Sequence, residues 1–236
     1  MSEERVIASH RNILLASLKT KDFRLLEPHL QAVTLGLRKN LEKPNQRIEA
    51  VYFPESGFAS VVAIQSPKTE VEVGLIGPEG MTGVAVVLGN HRSPHATYMQ
   101  AAGTGQCIPA DDLRKAIRAS LSLRDLLTKY AIAFGVQTAH TAICNANSRL
   151  DQRLARWLLM AHDRIGADVV PLTHEFLALM LAARRAGVTE ALGALKKEGL
   201  IAYSRGNITV RDRKGMERRA GESYGVPESE YRRLIG

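Results

Sequence analysis

The sequence predicts an α+β protein with three consecutive parts, and three observations support this fold class. Strand-like segments recur roughly every ten residues between residues 31 and 108, which indicates a small all-β barrel or sandwich. Residues 121–164 carry apolar residues at helical spacing without a proline, which indicates a long helix. Residues 172–210 show two short helices and a β-hairpin, the pattern of a winged helix-turn-helix.

The first part, residues 1–120, begins with one or two short amphipathic helices and continues as strands. Turn residues such as Pro54 to Gly57 and Gly77 to Gly80 separate the strands. The apolar positions of the helices are Leu14, Leu15, Leu18, Phe23, Leu25 and Leu26. We expect strands or apolar runs over Ile48–Phe53, Phe58–Ile64, Glu70–Ile76, Val84–Leu88 and Ala96–Ile108, and a short helix over Asp111–Ala119.

The second part, residues 121–165, is a long helix or two nearly continuous helices, interpreted as a dimerisation helix. Its middle is rich in small residues that permit close approach by another helix: Ala131, Ala133, Gly135, Ala139, Ala142 and Ala146. We interpret this surface as a two-fold helix–helix contact between two copies of the chain. In such a dimer the two winged helix-turn-helix domains reach two half-sites on one face of a DNA duplex. The alternative is that this helix packs only on its own β domain.

The third part, residues 166–236, contains the helix-turn-helix after a linker over Ile165–Pro171. Thr173 is a good N-cap for the first helix, and a tight connection around Ala182–Arg184 leads into the second. Gly199 stands at a plausible C′ position of the second helix. The apolar positions of the two helices are Phe176, Leu177, Met180 and Leu181, then Val188, Leu192 and Leu195.

A β-hairpin and a charged tail complete the third part. The strands Ile201–Tyr203 and Ile208–Val210 flank the polar turn Ser204–Asn207, which makes the wing. After Val210 the chain is strongly charged. We expect short helices near residues 213–219 and 224–236 within a solvated tail.

The exposed N-terminal end of the second helix suits a DNA interface. Arg184 and Arg185 lie there, with Thr189 one turn further on, and an Arg fork can bond both acceptors of a guanine edge. Phosphate contacts position a protein without specifying a base sequence. We expect such contacts from Thr173, Ser204, Arg205 and Asn207.

The net charge of +8 favours a polyanionic partner. The charge is shared equally between residues 1–171 and residues 172–236, each with a net charge of +4, so the positions of the arginines carry more weight than the total. Two distant cysteines, Cys107 and Cys144, indicate neither a disulfide framework nor a metal site. Without a secretion signal or an apolar run of membrane-spanning length, we expect a cytoplasmic protein with no membrane attachment.

A β-roll, a long helix and a winged helix in this order resemble the Crp/Fnr family of bacterial transcription regulators. The resemblance covers nearly the whole chain and is strongest over LTHEFLALMLAARRAGVTEALGALKKEGLI, YSRGNITV and VEVGLIGPEGMTG. It implies a double-stranded β-helix similar to a cyclic-nucleotide-binding domain, a homodimer, a palindromic double-stranded DNA operator and, for an activator, RNA polymerase as partner. It places Arg184, Arg185, Gly187 and Thr189 on the recognition helix, with Arg185 at a base-reading position.

Two departures from the family's pattern concern the turn and the effector pocket. Ala182 stands where many helix-turn-helix sequences have Gly, so we expect an ordinary backbone and a slightly different turn. Cyclic-AMP-binding members have a Gly-Glu-Leu-Gly turn, but here Met81 replaces the Glu and cannot accept the ribose hydrogen bonds. Arg92-Ser93 is retained, whereas Pro94 removes a backbone donor.

The candidate effector pocket therefore consists of Gly80, Met81, Thr82, Gly83, Arg92 and Ser93. Its effector is unknown, and a regulator that responds to a cyclic nucleotide is an alternative. A sensory dimer that acts through protein partners is another.

Other classes of function lack the residues that they need. Two isolated cysteines cannot bind an iron–sulfur cluster within one subunit. The lone histidines His91, His95 and His140 are formal haem ligands only. A cupin-like enzyme would need a His-x-His motif with a further carboxylate and His, and the spacing is wrong. We therefore expect no catalytic residues, no metal site and no cofactor.

Overall fold

The structure is a computed structural model that describes residues 11–66, 69–167, 169–172, 174–204 and 206–236. Over these ranges the chain forms α-helices and three antiparallel β-sheets, which confirms the predicted α+β class. None of the helices in these ranges combines the length and the apolar content that a bilayer crossing requires.

The N-terminal part is a β-roll preceded by two short helices, α1 (Ile13–Ala16) and α2 (Thr20–Leu26). Its strands are β1 (Gln31–Leu35), β2 (Asn40–Glu42), β3 (Ala50–Pro54), β4 (Phe58–Ser66), β5 (Thr69–Ile76), β6 (Ala96–Ala101) and β7 (Gly103–Pro109). One sheet has the order β1-β7-β3 and the other β2-β6-β4-β5. Apart from the consecutive pair β4 and β5, neighbouring strands come from distant parts of the chain, so the roll closes through long-range pairing.

Two apolar clusters fill the β-roll. Leu35 and Met99, one from each sheet, are buried in the same small cluster. A larger cluster packs Phe53 and Ile108 against the short helices and against the helix that follows the roll. That following helix, α4 (Ala110–Ala119), lies where a helix was predicted.

The apolar run at Val84–Leu88 forms a short helix, α3 (Val84–Val87), and not a strand. Gly83 before it has a φ of 73°, a left-handed conformation that glycine adopts readily. The carbonyl of Gly83 accepts the backbone N–H of Val86 at 2.8 Å. This turn reverses the chain before the β-branched residues can pair as a strand.

The predicted long helix is two helices, α5 (Leu121–Asn147) and α6 (Leu150–Ile165), divided at Ser148. Ser148 has an extended backbone with ψ of 147°, which ends α5. Leu123, Leu127 and Tyr130 of α5 are buried in the core of the β-roll. The opposite face of α5 is exposed over much of its length.

The C-terminal part is built around α6. The remaining elements are β8 (Val169–Pro171), α7 (His174–Met180), α8 (Arg185–Lys197), β9 (Ile201–Ser204) and β10 (Asn207–Val210). Leu154 and Leu158 of α6 share one buried cluster with Leu177, Leu192 and Ile208. The segment predicted as a plain linker supplies β8, which pairs with β10 in a three-stranded wing sheet of order β8-β10-β9.

The charged C-terminal segment is packed on the protein, so the expected solvated tail is wrong. It forms α9 (Arg213–Ala220) and α10 (Val226–Ile235). Met216 of α9 is buried beside α6, and Ile235 of α10 is buried in the β-roll cluster. The Tyr231 hydroxyl donates to the Glu79 carbonyl at 2.5 Å. The apolar side chains between the charges make these helices amphipathic, and α10 fastens the end of the chain to the β-roll.

Glu72 of β5 joins the β-roll to α6 through a buried carboxylate. It accepts hydrogen bonds from the Ser60 hydroxyl at 2.5 Å and from the indole N–H of Trp157, also at 2.5 Å. Burial raises the pKa of Glu72 to about 7, although these two hydrogen bonds and the charges of Arg156 and Arg164 oppose the shift. The junction between the two halves therefore contains a carboxyl group that titrates near neutral pH.

Replacing Glu72 by Gln should remove a pH-dependent loss of stability. The pKa of Glu72 lies above its ordinary value of 4.5, so the folded chain binds this proton more tightly than the unfolded chain. The contribution is complete below about pH 4.5 and is lost as the pH rises through about 7. It amounts to at most roughly 3–4 kcal/mol, at about 1.4 kcal/mol per pKa unit.

Urea unfolding followed by circular dichroism at about pH 5 and about pH 8 measures this loss. In Glu72→Gln the side chain can still accept from Trp157 and bond to Ser60. The variant's unfolding free energy should therefore change less between the two pH values than that of the wild type. An equal change in both proteins would show that other groups cause the pH dependence.

Candidate functional site

A left-handed residue forms the turn between α7 and α8. Ala182 has a φ of 45°. The backbone N–H of Ala183 donates to the Ala178 carbonyl at 2.9 Å, and that of Ala182 donates to Leu179 at 3.1 Å. These are the paired bonds of a Schellman motif. The expected ordinary backbone at Ala182 is therefore wrong, and the turn has the geometry that glycine usually provides.

The second helix, α8, ends with the same motif. Gly199 has a φ of 74° and donates its N–H to the Lys196 carbonyl at 3.0 Å. The N–H of Leu200 donates to the Leu195 carbonyl at 3.0 Å. Gly199 thus lies at the predicted C′ position.

One side of α8 is buried and the other is exposed, as the spacing predicted. Val188, Leu192 and Leu195 are buried in the core that α8 shares with α6 and α7. Arg185 and Thr189, four residues apart, lie together on the exposed face. The structure therefore brings together two side chains that were predicted to contact DNA.

Arg184 and Arg185 stand exposed at the N-terminal end of α8. Arg184 is the N-cap with an extended backbone, and the helix begins at Arg185. Neither guanidinium makes an ion pair with any residue that the structure describes. Both charges are therefore available to an external anion or base edge.

Gly187, also predicted for the interface, lies on the inner side of α8. A Cβ placed on it would be 3.0 Å from Cδ2 of Leu150, so close approach to α6 accounts for the glycine. Sequence reasoning missed Glu190, which is exposed beside Thr189. Helical spacing places it within the same exposed arc, and a carboxylate can accept from cytosine N4.

The wing presents polar side chains next to the recognition helix. Ser204 and Asn207 are exposed and face each other as the last pair of the β9–β10 hairpin. Two further residues predicted to contact phosphate, Arg205 and Thr173, lie outside the described residues. Of the four residues predicted to contact phosphate, the structure therefore places Ser204 and Asn207, both at the tip of the wing.

His174 contacts two elements that were predicted to bind DNA, and sequence reasoning missed it. It is the first residue of α7, and its Nδ1 lies 2.9 Å from Oγ1 of Thr189 on α8. Its ring lies over that of Tyr203 in β9, with centroids 4.7 Å apart. His174 therefore connects α7, the recognition helix and the wing. Its fifteen-residue separation from Thr189 left no periodic signal in the sequence.

The predicted effector pocket is closed by the protein's own side chains. Met81 and Thr82 are fully buried, and the Thr82 hydroxyl accepts the backbone N–H of Tyr52 at 3.0 Å. A Cβ on Gly80 would collide with the Tyr130 hydroxyl at 2.2 Å. Arg92 is exposed on the surface. The turn thus forms a packed part of the core around its two glycines.

Glu42 occupies the place where the pocket's donors converge. Its carboxylate accepts the backbone N–H of Gly83 at 2.5 Å and the Thr97 hydroxyl at 3.3 Å, and it also bonds to Ser93. Burial raises the pKa of Glu42, and these three hydrogen bonds oppose the shift. A carboxylate of the chain itself therefore uses the donors that an anionic effector would need.

Among the residues that the structure describes, no group of three or more His, Cys, Asp or Glu side chains is arranged to hold a metal ion. Cys107 is partly buried and Cys144 is buried, and both are free thiols.

The match to a protein-family model falls in the C-terminal part of the chain. Residues 152–219 match the Crp-like helix-turn-helix domain. The transcriptional regulator SdrP of Thermus thermophilus is 37% identical over 86 residues, which are 34% of this chain and 42% of that protein. The aligned region thus spans less than half the length of that curated relative.

Solved structures share the fold over most of the chain. A transcriptional regulator of the Crp/Fnr family from Eubacterium rectale superposes with a TM-score of 0.69 at 19% sequence identity. The alignment covers 88% of this chain and 97% of the chain of that regulator. A CRP-family regulator from Thermus thermophilus has a TM-score of 0.67 at 19% identity, with coverages of 80% and 97%. These proteins and SdrP are described as transcriptional regulators.

Replacing Ala182 by Gly should raise the free energy of unfolding by about 1 kcal/mol. Glycine has no Cβ to place in the left-handed region, which is what penalises Ala182. Ala183→Gly is the matched control, because Ala183 has an ordinary backbone and should lose about 0.5–1 kcal/mol through the added freedom of the unfolded chain. Thermal unfolding of both variants measures the difference, and destabilisation by both would contradict strain at Ala182.

Proposed function

We propose that the chain is a member of the Crp/Fnr family and acts as a homodimeric, sequence-specific DNA-binding transcription regulator, a proposal that its fold and its Crp-like helix-turn-helix domain support. The observation that carries the proposal is the exposed face of α8. Arg184 and Arg185 stand there without an internal ion pair among the described residues, beside Thr189 and next to the exposed polar tip of the wing. This combination supports insertion of α8 into the major groove.

The side chains on this face divide by the contacts that they suit. Arg185 can bond the two acceptors of a guanine edge, and Glu190 can accept from a cytosine amine. Arg184, at the start of the helix, lies where the helix dipole favours a phosphate. Ser204 and Asn207 suit phosphate contacts on the neighbouring strand. Selection of the bases therefore depends on Arg185 and Glu190, whereas positioning of the protein on the DNA depends on Arg184 and the wing.

The exposed face of α5 supports dimerisation. Ile132 and Ile143 are 51% and 55% exposed, which leaves two large apolar side chains in solvent on a well-packed helix. Between and beyond them the same face carries small exposed residues at spacings of three and four, namely Gly135, Ala139, Ala142 and Ala146. Such a stripe fits a second copy of α5 and permits close helix packing.

The closed pocket supports regulation that does not use cyclic AMP in the usual way. A phosphate at the Gly83 turn would have to displace the Glu42 carboxylate and break its bonds to Gly83, Ser93 and Thr97. We expect the protein to bind its operator without a nucleotide. Any signal received by the β-roll would reach the winged domains through Glu72 and Trp157. The signal would shift the population between two positions of the winged domains relative to the β-roll.

Selection from a randomised DNA pool at fixed salt, without added ligand, tests the function. The wild type should enrich a two-fold-symmetric site with half-site centres roughly 34 Å apart, about one helical turn. Arg185→Ala should lose about 1–3 kcal/mol of discrimination between that site and random DNA. Asn207→Ala is the matched wing variant, and it should weaken binding to both DNAs alike.

The other outcomes assign the function differently. Equal losses for both variants on both DNAs would show that Arg185 does not read a base. Enrichment only after cyclic AMP is added would show that Glu42 leaves the pocket. Failure to enrich any site would favour a regulator that acts through protein partners.

Replacing Ala139 by Glu should separate the dimer into monomers, because it buries a carboxylate in an apolar contact. Light scattering after size-exclusion chromatography measures the mass, and the variant should also lose affinity for the symmetric site. Arg118→Glu is the matched control, because Arg118 is exposed on α4, outside the stripe, and this variant should remain a dimer. A monomeric wild type would contradict the proposed interface.

A further inference from the structure

The hydroxyl of Thr189 is bonded within the protein on both sides. Its Oγ1 donates to the carbonyl oxygen of Arg185, one turn earlier in α8, at 3.0 Å. The same oxygen lies 2.9 Å from Nδ1 of His174. Thr189 is nevertheless exposed on the face of α8 that carries the Arg185 side chain. Thr189 thus lies on the exposed face of α8, but its hydroxyl is hydrogen-bonded within the protein.

The positions of the hydrogens follow from the two partners. A carbonyl oxygen can only accept, so the single hydroxyl hydrogen of Thr189 goes to Arg185. The contact with His174 then requires Nδ1 to carry a hydrogen and to donate it to Oγ1. Thr189 therefore has no hydrogen left for an acceptor on a base edge. Its oxygen already accepts from His174, and the apolar group that it can present is its γ-methyl.

His174 is held in the orientation that this contact needs. Its ring packs on Tyr203 of the wing, with centroids 4.7 Å apart. Its Nε2 is buried and has no hydrogen-bond partner among the described residues, which fits a ring whose hydrogen is on Nδ1. The hydroxyl of Thr189 is therefore fixed against the helix by a ring that is itself fixed by the wing.

We propose that Thr189 selects a thymine in the major groove through its methyl group, and that His174 is the positioning residue that turns the hydroxyl away from the DNA. Thymine alone among the four bases presents a methyl group in that groove, and a threonine methyl is a suitable apolar partner. The inference rests on the proposed DNA-reading function and adds the base that Thr189 recognises. The thymine lies close to the guanine expected for Arg185, because the two residues are one turn apart.

Replacing each thymine of the enriched site, one at a time, by deoxyuridine tests the inference, since uracil lacks only the methyl group. For the wild type, one position in each half-site should lose about fourfold in affinity, the value for one buried methyl group. Thr189→Ser keeps the hydroxyl and its two bonds but removes the methyl. This variant should bind the thymine and uracil sites equally at that position.

Thr189→Val is the matched variant, because it keeps a methyl group and removes the hydroxyl. It should retain the preference for thymine at the same position. The preference is a ratio measured on one protein, so a loss of stability in a variant does not affect it. Thr189→Ser with an undiminished preference, or Thr189→Val without one, would overturn the inference.

The two proposals fail in distinguishable ways. If no symmetric site is enriched, the DNA-reading function is wrong. If a site is enriched but no thymine-to-uracil change affects binding of the wild type, the function stands and the role assigned to Thr189 is wrong.

Discussion

One buried carboxylate, that of Glu72, sets the relation between the two halves of the molecule. Its hydrogen bond from Trp157 joins the β-roll to α6, and its hydrogen bond from Ser60 holds it within the roll. A carboxylate that is only 4% exposed loses much free energy if those donors are withdrawn. Because α6 forms one wall of the core beneath the recognition helix, the carboxylate also fixes where that helix stands. The ion pair between Arg164 and Glu79, at 2.8 Å, supports the same junction.

The winged domain contacts the rest of the chain at several points. Arg153 of α6 donates to the Leu181 carbonyl in the turn and to the Asn145 side chain at the end of α5, so the turn is tied to the central helix. On the other side α10 returns from the winged domain to the β-roll. A change in head placement must therefore rearrange packed contacts at both ends, which favours two discrete arrangements over continuous motion.

Local patterns predicted the elements whose structure depends on near neighbours. The inward positions of α8 follow from spacings of three and four, and the hairpin follows from the polar turn between two β-branched strands. Interactions across long sequence separations were not predictable in this way. Glu42 and Gly83 are 41 residues apart, and nothing near Glu42 indicates that it fills a pocket. Ala182 was predicted from the usual preference of alanine, which the Schellman bonds outweigh.

Trp157 is the only tryptophan of the chain, and its position gives the protein an internal optical probe. The indole lies between Phe58 of the β-roll and Phe176 of the winged domain, with ring centroids 6.1 Å away in each case. All tryptophan fluorescence therefore originates at the boundary between the two halves, beside a buried carboxylate. Separation of the halves would bring water to the indole and move its emission to longer wavelength. Communication between them is thus observable in the unlabelled protein, in real time and during DNA binding.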